Sequence, residues 1–159
     1  MNDEEIRLVC TAGRHSDLVR FLLLTGQRIR ETQLATRTDI NEKRWFIPAR
    51  NNKSDRDHWV SLSDQSYAII DRQSRRRRYV FNNTSATAVQ AFLRRWCEKN
   101  DIGRGNLEQN HQGYFTPHDF RRTFATRLNE LGVGPHVVEK ILNPRRTLMN
   151  MKNTIKLTK

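Results

Sequence analysis

The sequence predicts a mainly α-helical protein with a small antiparallel β-sheet inserted after the second helix. Two observations carry that expectation. Apolar residues recur at helical spacing through most foldable stretches. Only Trp45-Phe46-Ile47-Pro48 and His58-Trp59-Val60-Ser61-Leu62 have the short, β-branched and aromatic character of strands. The polar run 50–57 between them has the composition of a hairpin loop.

The elements follow in order. Residues 16–24 form a helix offering Leu18, Phe21, Leu22 and Leu24 to a core, with Ser16 or Asp17 as its cap. Thr25-Gly26 breaks it as a turn, and a second helix spans about 29–35. After the two strands, Ser63-Asp64 caps a helix that buries Tyr67, Ile69 and Ile70, and Tyr79-Val80-Phe81 reads as a short extended segment. Thr84 or Ser85 caps an amphipathic helix through Val89, Phe92, Leu93 and Trp96, followed by a polar loop over 103–113. Thr116 as N-cap and Pro117 at the first helical position open the next helix, which carries Phe120, Phe124 and Leu128 inward and stops at Gly132 or Gly134. A final helix over 135–142 contributes Val137, Val138, Ile141 and Leu142.

Size and charge narrow the function. A chain of 159 residues and 18.8 kDa holds one domain with a proper core. Twenty-nine lysines and arginines against 17 acidic residues give a formal charge of +12, distributed along the chain and including the Arg75-Arg76-Arg77-Arg78 run. Such a field favours a polyanion, with nucleic acid the default candidate. No apolar run is long enough for a membrane span, and the acidic start Met1-Asn2-Asp3-Glu4-Glu5 is unlike a secretory signal. Cys10 and Cys97 lack metal-ligand spacing and read as reduced thiols of an intracellular protein, and no Cys/His cluster exists to build a structural metal site.

Two segments carry chemistry. In Thr116-Pro117-His118-Asp119-Phe120-Arg121-Arg122-Thr123, His118 and Arg121 lie three residues apart on the first turn of a helix, where the dipole already favours an anion. In Leu24-Thr25-Gly26-Gln27-Arg28-Ile29-Arg30-Glu31, the glycine allows a sharp corner from which Arg28 projects. Glu31, one turn on, either orients a guanidinium or caps the helix start.

Together these segments resemble the catalytic domain of tyrosine recombinases, the phage-integrase family, in its satellite-phage and genomic-island branch. Thr25-Gly26-Gln27-Arg28 with Glu31 is similar to the family's first arginine box, and the 116–123 phrase to its second. The loop of Lys53, followed by His58-Trp59-Val60-Ser61-Leu62-Ser63, looks like the family's lysine-bearing β-hairpin. The resemblance runs over about 10–143. It implies the family fold and, in a bacterial cytoplasm or nucleoid, breakage and rejoining of double-stranded DNA through a 3′-phosphotyrosine with neither metal nor cofactor. On this likeness Arg28 and Arg121 clamp the scissile phosphate, Lys53 on a mobile hairpin protonates the departing 5′-oxygen, and His118 assists proton transfer or holds the phosphate.

The sequence departs from the pattern after the last helix. No tyrosine follows Tyr114, and Pro144 stands where the third-box His or Trp is expected. The expectation is a recombinase catalytic domain over 1–143 without its nucleophile helix, then a divergent or frameshifted basic tail over 144–159. Function is expected to be site-specific recombination or integration with cleavage lost; the alternative is a non-catalytic DNA-binding or regulatory protein on the same fold. A full-length integrase or a second copy on DNA would be its protein partner. His15, His111 and His136 read as surface residues, and Trp45, Trp59 and Trp96 as packing. His58 is left between a DNA contact and a solvent-facing hairpin position.

Overall fold

The computed structural model describes residues 1–11, 13–81, 85–102 and 114–142. Seven helices and three strands are ordered α1 (Asp3–Cys10), α2 (Ser16–Thr25), α3 (Ile29–Gln33), β1 (Ile40–Asn41), β2 (Arg44–Ile47), β3 (His58–Ser61), α4 (Asp64–Asp71), α5 (Ala86–Lys99), α6 (Pro117–Glu130) and α7 (Pro135–Leu142) among those residues. The expected class, helices around a small antiparallel sheet, is the observed one. The polar loop over 103–113, the Thr84 cap, His111 and the 144–159 tail lie outside the described residues.

Helix α2 is the centre of the packing, touching α1, α4 and α6. Its Leu18, Val19, Phe21 and Leu22 are buried, each apolar side chain contributing about 1.5–3 kcal/mol on leaving water. Phe21 joins the layers: its ring lies 5.6 Å from Trp45 on β2 and 5.0 Å from Phe81. Trp45 therefore packs as expected.

The sheet has the order β1-β2-β3, all antiparallel, with Trp45 opposite Val60 and Ile47 opposite His58. Strand alternation turns His58 and Val60 inward and Trp59 and Ser61 outward. Trp59 packs on the outer face of the sheet rather than in the core: it is 50 % exposed, stacked on Phe46 at 4.8 Å and covered by the Arg44 guanidinium at 4.7 Å.

Several boundaries differ from the sequence reading. An additional helix, α1, opens the chain, because Asn2 and Glu5 cap each other reciprocally at 2.8 Å in both directions. A tight turn, Gly13–His15, feeds α2, so His15 takes the cap position expected of Ser16 or Asp17, and its ring meets Phe92 edge-on. A third strand, β1, pairs with β2. Helix α3 stops at Gln33, and the Tyr79-Val80 segment is held by one bridge from Tyr79 to Thr36 and by Val80 N–H donating to Ala35 C=O at 2.9 Å.

Candidate functional site

The α2–α3 corner is built on Gly26, which takes the left-handed conformation at φ +63° and closes α2 by donating its N–H to Leu22 C=O at 2.8 Å. A side chain there would collide with Phe124 and Leu142, so the glycine also permits α6 and α7 to approach the corner. Arg28 follows at the N-cap of α3. Its backbone N–H donates to Glu31 Oε2 at 3.0 Å and its Nη1 to Glu31 Oε1 at 2.8 Å. Both sequence readings of Glu31 are therefore realised by one carboxylate, whose side chain is 2 % exposed against 29 % for Arg28.

Arg121 reaches the same corner from α6. The capping box of Thr116 and Asp119 at 2.8 and 2.7 Å, with Pro117 in the first turn, fixes the start of that helix. Phe120 beside it is fully buried and Arg121 nearly so. The guanidinium is held as a fork: Nη1 donates to Gly26 C=O and Nη2 to Leu142 C=O, each at 2.8 Å. Burial first, and then repulsion from Arg28, push its pKa down to about 10, while Glu31 opposes them. The guanidinium still carries its charge at neutral pH, and its coupling to Arg28 places both cations in one electrostatic neighbourhood.

A cleft of about 390 Å³ opens beside Arg28 and is lined also by Arg30, Glu31, Arg50, Asn52 and Lys53. Lys53 is exposed on the β2–β3 loop. That loop is braced by its own side chains: Asn52 Nδ2 donates to Arg56 C=O at 2.8 Å, and Ser54 N–H donates to Asn52 Oδ1 at 3.1 Å. His118 stands at the exposed start of α6, one turn before Arg121. Among the described residues no hydrogen bond ties it to Arg28, Lys53 or Arg121.

The side chain that sequence reasoning misplaced is His58. Instead of facing solvent or DNA, it is buried at the start of β3 with Nε2 3.0 Å from Ile141 C=O. Burial holds its pKa below the ordinary histidine value; the Ile141 carbonyl and Glu31 pull it upward, and Arg121 and Arg28 push it down. The missed signal was the two-residue period, since His58 shares the face of Val60. Gln27 was also passed over. It is almost fully buried, and its Nε2 donates to Thr25 C=O at 3.1 Å and Ile141 C=O at 3.3 Å.

Two clustered arginines, a carboxylate that orients one of them and a lysine on the adjoining cleft make a site for an oxyanion with several equivalent oxygens. The sequence matches the phage integrase family over residues 2–151, and the chain belongs to that family. It is 32 % identical over 114 residues to the prophage integrase IntA of Escherichia coli (strain K12), covering 65 % of this chain and 24 % of that protein. It is 24 % identical over 154 residues to the tyrosine recombinase XerA of Pyrococcus horikoshii, covering 88 % and 50 %. The chain thus spans half or less of these curated relatives. Among solved structures, the fold superposes on XerA recombinase with a TM-score of 0.69 at 20 % identity, over 89 % of this chain and 54 % of that one. It matches the catalytic domain of bacteriophage HP1 integrase with a TM-score of 0.63 at 20 % identity, over 89 % and 78 %. The Tn1549 transposon integrase in complex with transposon right end DNA gives 0.67 at 19 % identity, over 89 % and 56 %.

Proposed function

We propose that this chain is the phosphate-holding part of a site-specific DNA recombinase, engaging duplex DNA during integration or exchange of a mobile element. The observation that supports this most is the forked Arg121 beside the Glu31-oriented Arg28. A phosphodiester gains negative charge on its non-bridging oxygens as a nucleophile adds, and guanidiniums fixed beforehand stabilise that charge without reorganising. Lys53, lining the cleft next to Arg28, is assigned the protonation of the leaving 5′-oxygen. His118 is assigned to the phosphate from the start of α6, where the helix dipole adds to its donor capacity.

The nucleophile is a separate matter. No tyrosine follows Tyr114, and neither Tyr67, Tyr79 nor Tyr114 lines the Arg28 cleft. We assign none of these three as the nucleophile, and these 159 residues are expected to bind DNA without cutting it. A full-length integrase or a second copy on the same duplex is the protein partner proposed, in the bacterial cytoplasm or nucleoid. The test uses a nicked suicide duplex. The chain should bind it with steep salt dependence and leave no adduct that survives denaturation, whereas R28A and R121A should bind more weakly. A covalent protein–DNA product, or unaltered affinity in both variants, would overturn the assignment.

A further inference from the structure

We propose that His58 is a positioning residue for the phosphate site: it holds the last turn of α7 and, through the Leu142 carbonyl, sets the Arg121 guanidinium. The inference rests on the reading of Arg28 and Arg121 as the phosphate clamp.

The carbonyls in the last turn of a helix have no partner within it and carry the negative end of its dipole. In α7 two of these groups, Ile141 C=O and Leu142 C=O, are occupied by side chains from three distant segments. His58 Nε2 from β3 and Gln27 Nε2 from the α2–α3 corner meet Ile141 C=O at 3.0 and 3.3 Å. Arg121 Nη2 from α6 takes the next carbonyl, Leu142, at 2.8 Å. One peptide unit therefore separates the atom His58 holds from the atom that holds Arg121. A guanidinium grips an oxyanion through a planar fork, so a small turn of Leu142 C=O tilts the whole donor plane.

An imidazole suits this place. It donates through Nε2 without needing to carry charge, where a lysine or arginine would bury a further cation against Arg28 and Arg121. The charged groups that face it are Arg28 and Glu31 from α3 and Arg121 from α6, and the α7 end presents the Ile141 carbonyl. His58 is also the point where the hairpin loop carrying Lys53 rejoins the sheet, so one side chain ties that loop to the arginine clamp.

Two amide substitutions separate donor position from mere polarity. Glutamine reaches as far from Cβ as the imidazole Nε2, while asparagine stops one bond short. Affinity of the full chain for a labelled duplex is measured by fluorescence anisotropy at one low salt concentration, with thermal melts alongside. H58N should weaken binding about fivefold, the scale of one lost hydrogen bond, and H58Q should stay within about twofold of the unaltered chain. H58M fills the space without a donor and should behave as H58N does, so the result does not depend on one variant folding. Because His58 acts through Arg121, H58N/R121A should bind no more weakly than R121A alone.

Wild-type affinity in H58N and H58M while R28A and R121A are impaired would reject the positioning role alone. So would a loss in H58N that adds in full to that of R121A. Unchanged binding in R28A and R121A would instead remove the clamp, and the inference with it.

Discussion

Replacing Gly26 with alanine tests how the corner is built, because two costs there can be separated. The first is backbone strain: at φ +63° a residue with a Cβ loses about 1 kcal/mol relative to glycine. The second is overlap. An added Cβ would lie 2.7 Å from Leu142 Cδ2 and 2.8 Å from Phe124 Cγ, and such overpacking costs about 1–3 kcal/mol. Together G26A should lose about 2–4 kcal/mol, which for a domain of this size lowers Tm by about 4–16 °C. Gly13 has the same φ of +63° with nothing within 4 Å of the added Cβ, so G13A carries the strain without the overlap. It should fall by only about 2–4 °C. Differential scanning calorimetry of both variants reads the difference directly. Equal shifts would refute the close approach of α6 and α7 to the corner, and with it the path that brings Arg121 to Gly26 C=O.

The other expectations concern charge. Arg121→Lys should not restore the duplex affinity lost in Arg121→Ala, because an ammonium cannot span Gly26 and Leu142 carbonyls as a fork; comparable affinity for R121K and the unaltered chain in anisotropy would contradict this. Glu31→Gln leaves an amide between two N–H donors where each carboxylate oxygen now accepts, a loss of about 1–2 kcal/mol after allowing for the part-exposed Arg28, seen as a Tm drop of about 2–8 °C. His58 has a folded-state pKa below its unfolded value, so its contribution to stability is complete above about pH 6.5 and is lost as the pH falls, the unfolded chain taking up the proton first. Melts across that range should show a steeper acid-side decline for the unaltered chain than for H58Q. Arg28→Ala should lower the slope of log affinity against log salt by about one, measured by titration of duplex at several salt concentrations.

Much of this arrangement is legible in the amino-acid order, for identifiable reasons. Helix starts marked by a capping pair, such as Thr116 with Asp119 or the Ser63 and Ser85 caps, are local signals, and the structure places the elements there. The corner at Gly26 is local as well, since a left-handed residue almost demands glycine. What escaped were features decided by tertiary contact. Helix α1 is short and held by its Asn2–Glu5 cap and by packing against α2, and strand β1 is only two residues long. His58 was misread because its partners, Ile141 and Arg121, lie far along the chain. Its inward direction was nonetheless present in the alternation with Val60, and Trp59 faces outward by the same rule.

The balance of charge at the corner gives the site its chemical sense. Arg28 and Arg121 repel one another, and among the described residues the buried carboxylate of Glu31 stands with them. On the proposed function, an arriving phosphodiester brings negative charge to both guanidiniums. It would raise the lowered pKa of Arg121 toward its ordinary value and lift that of His58 in the same direction, since repulsion by the arginines contributes to both shifts. On that reading the Gly26 and Leu142 carbonyls and Glu31 hold the guanidiniums in advance of the anion, and their mutual repulsion is relieved when the DNA backbone arrives.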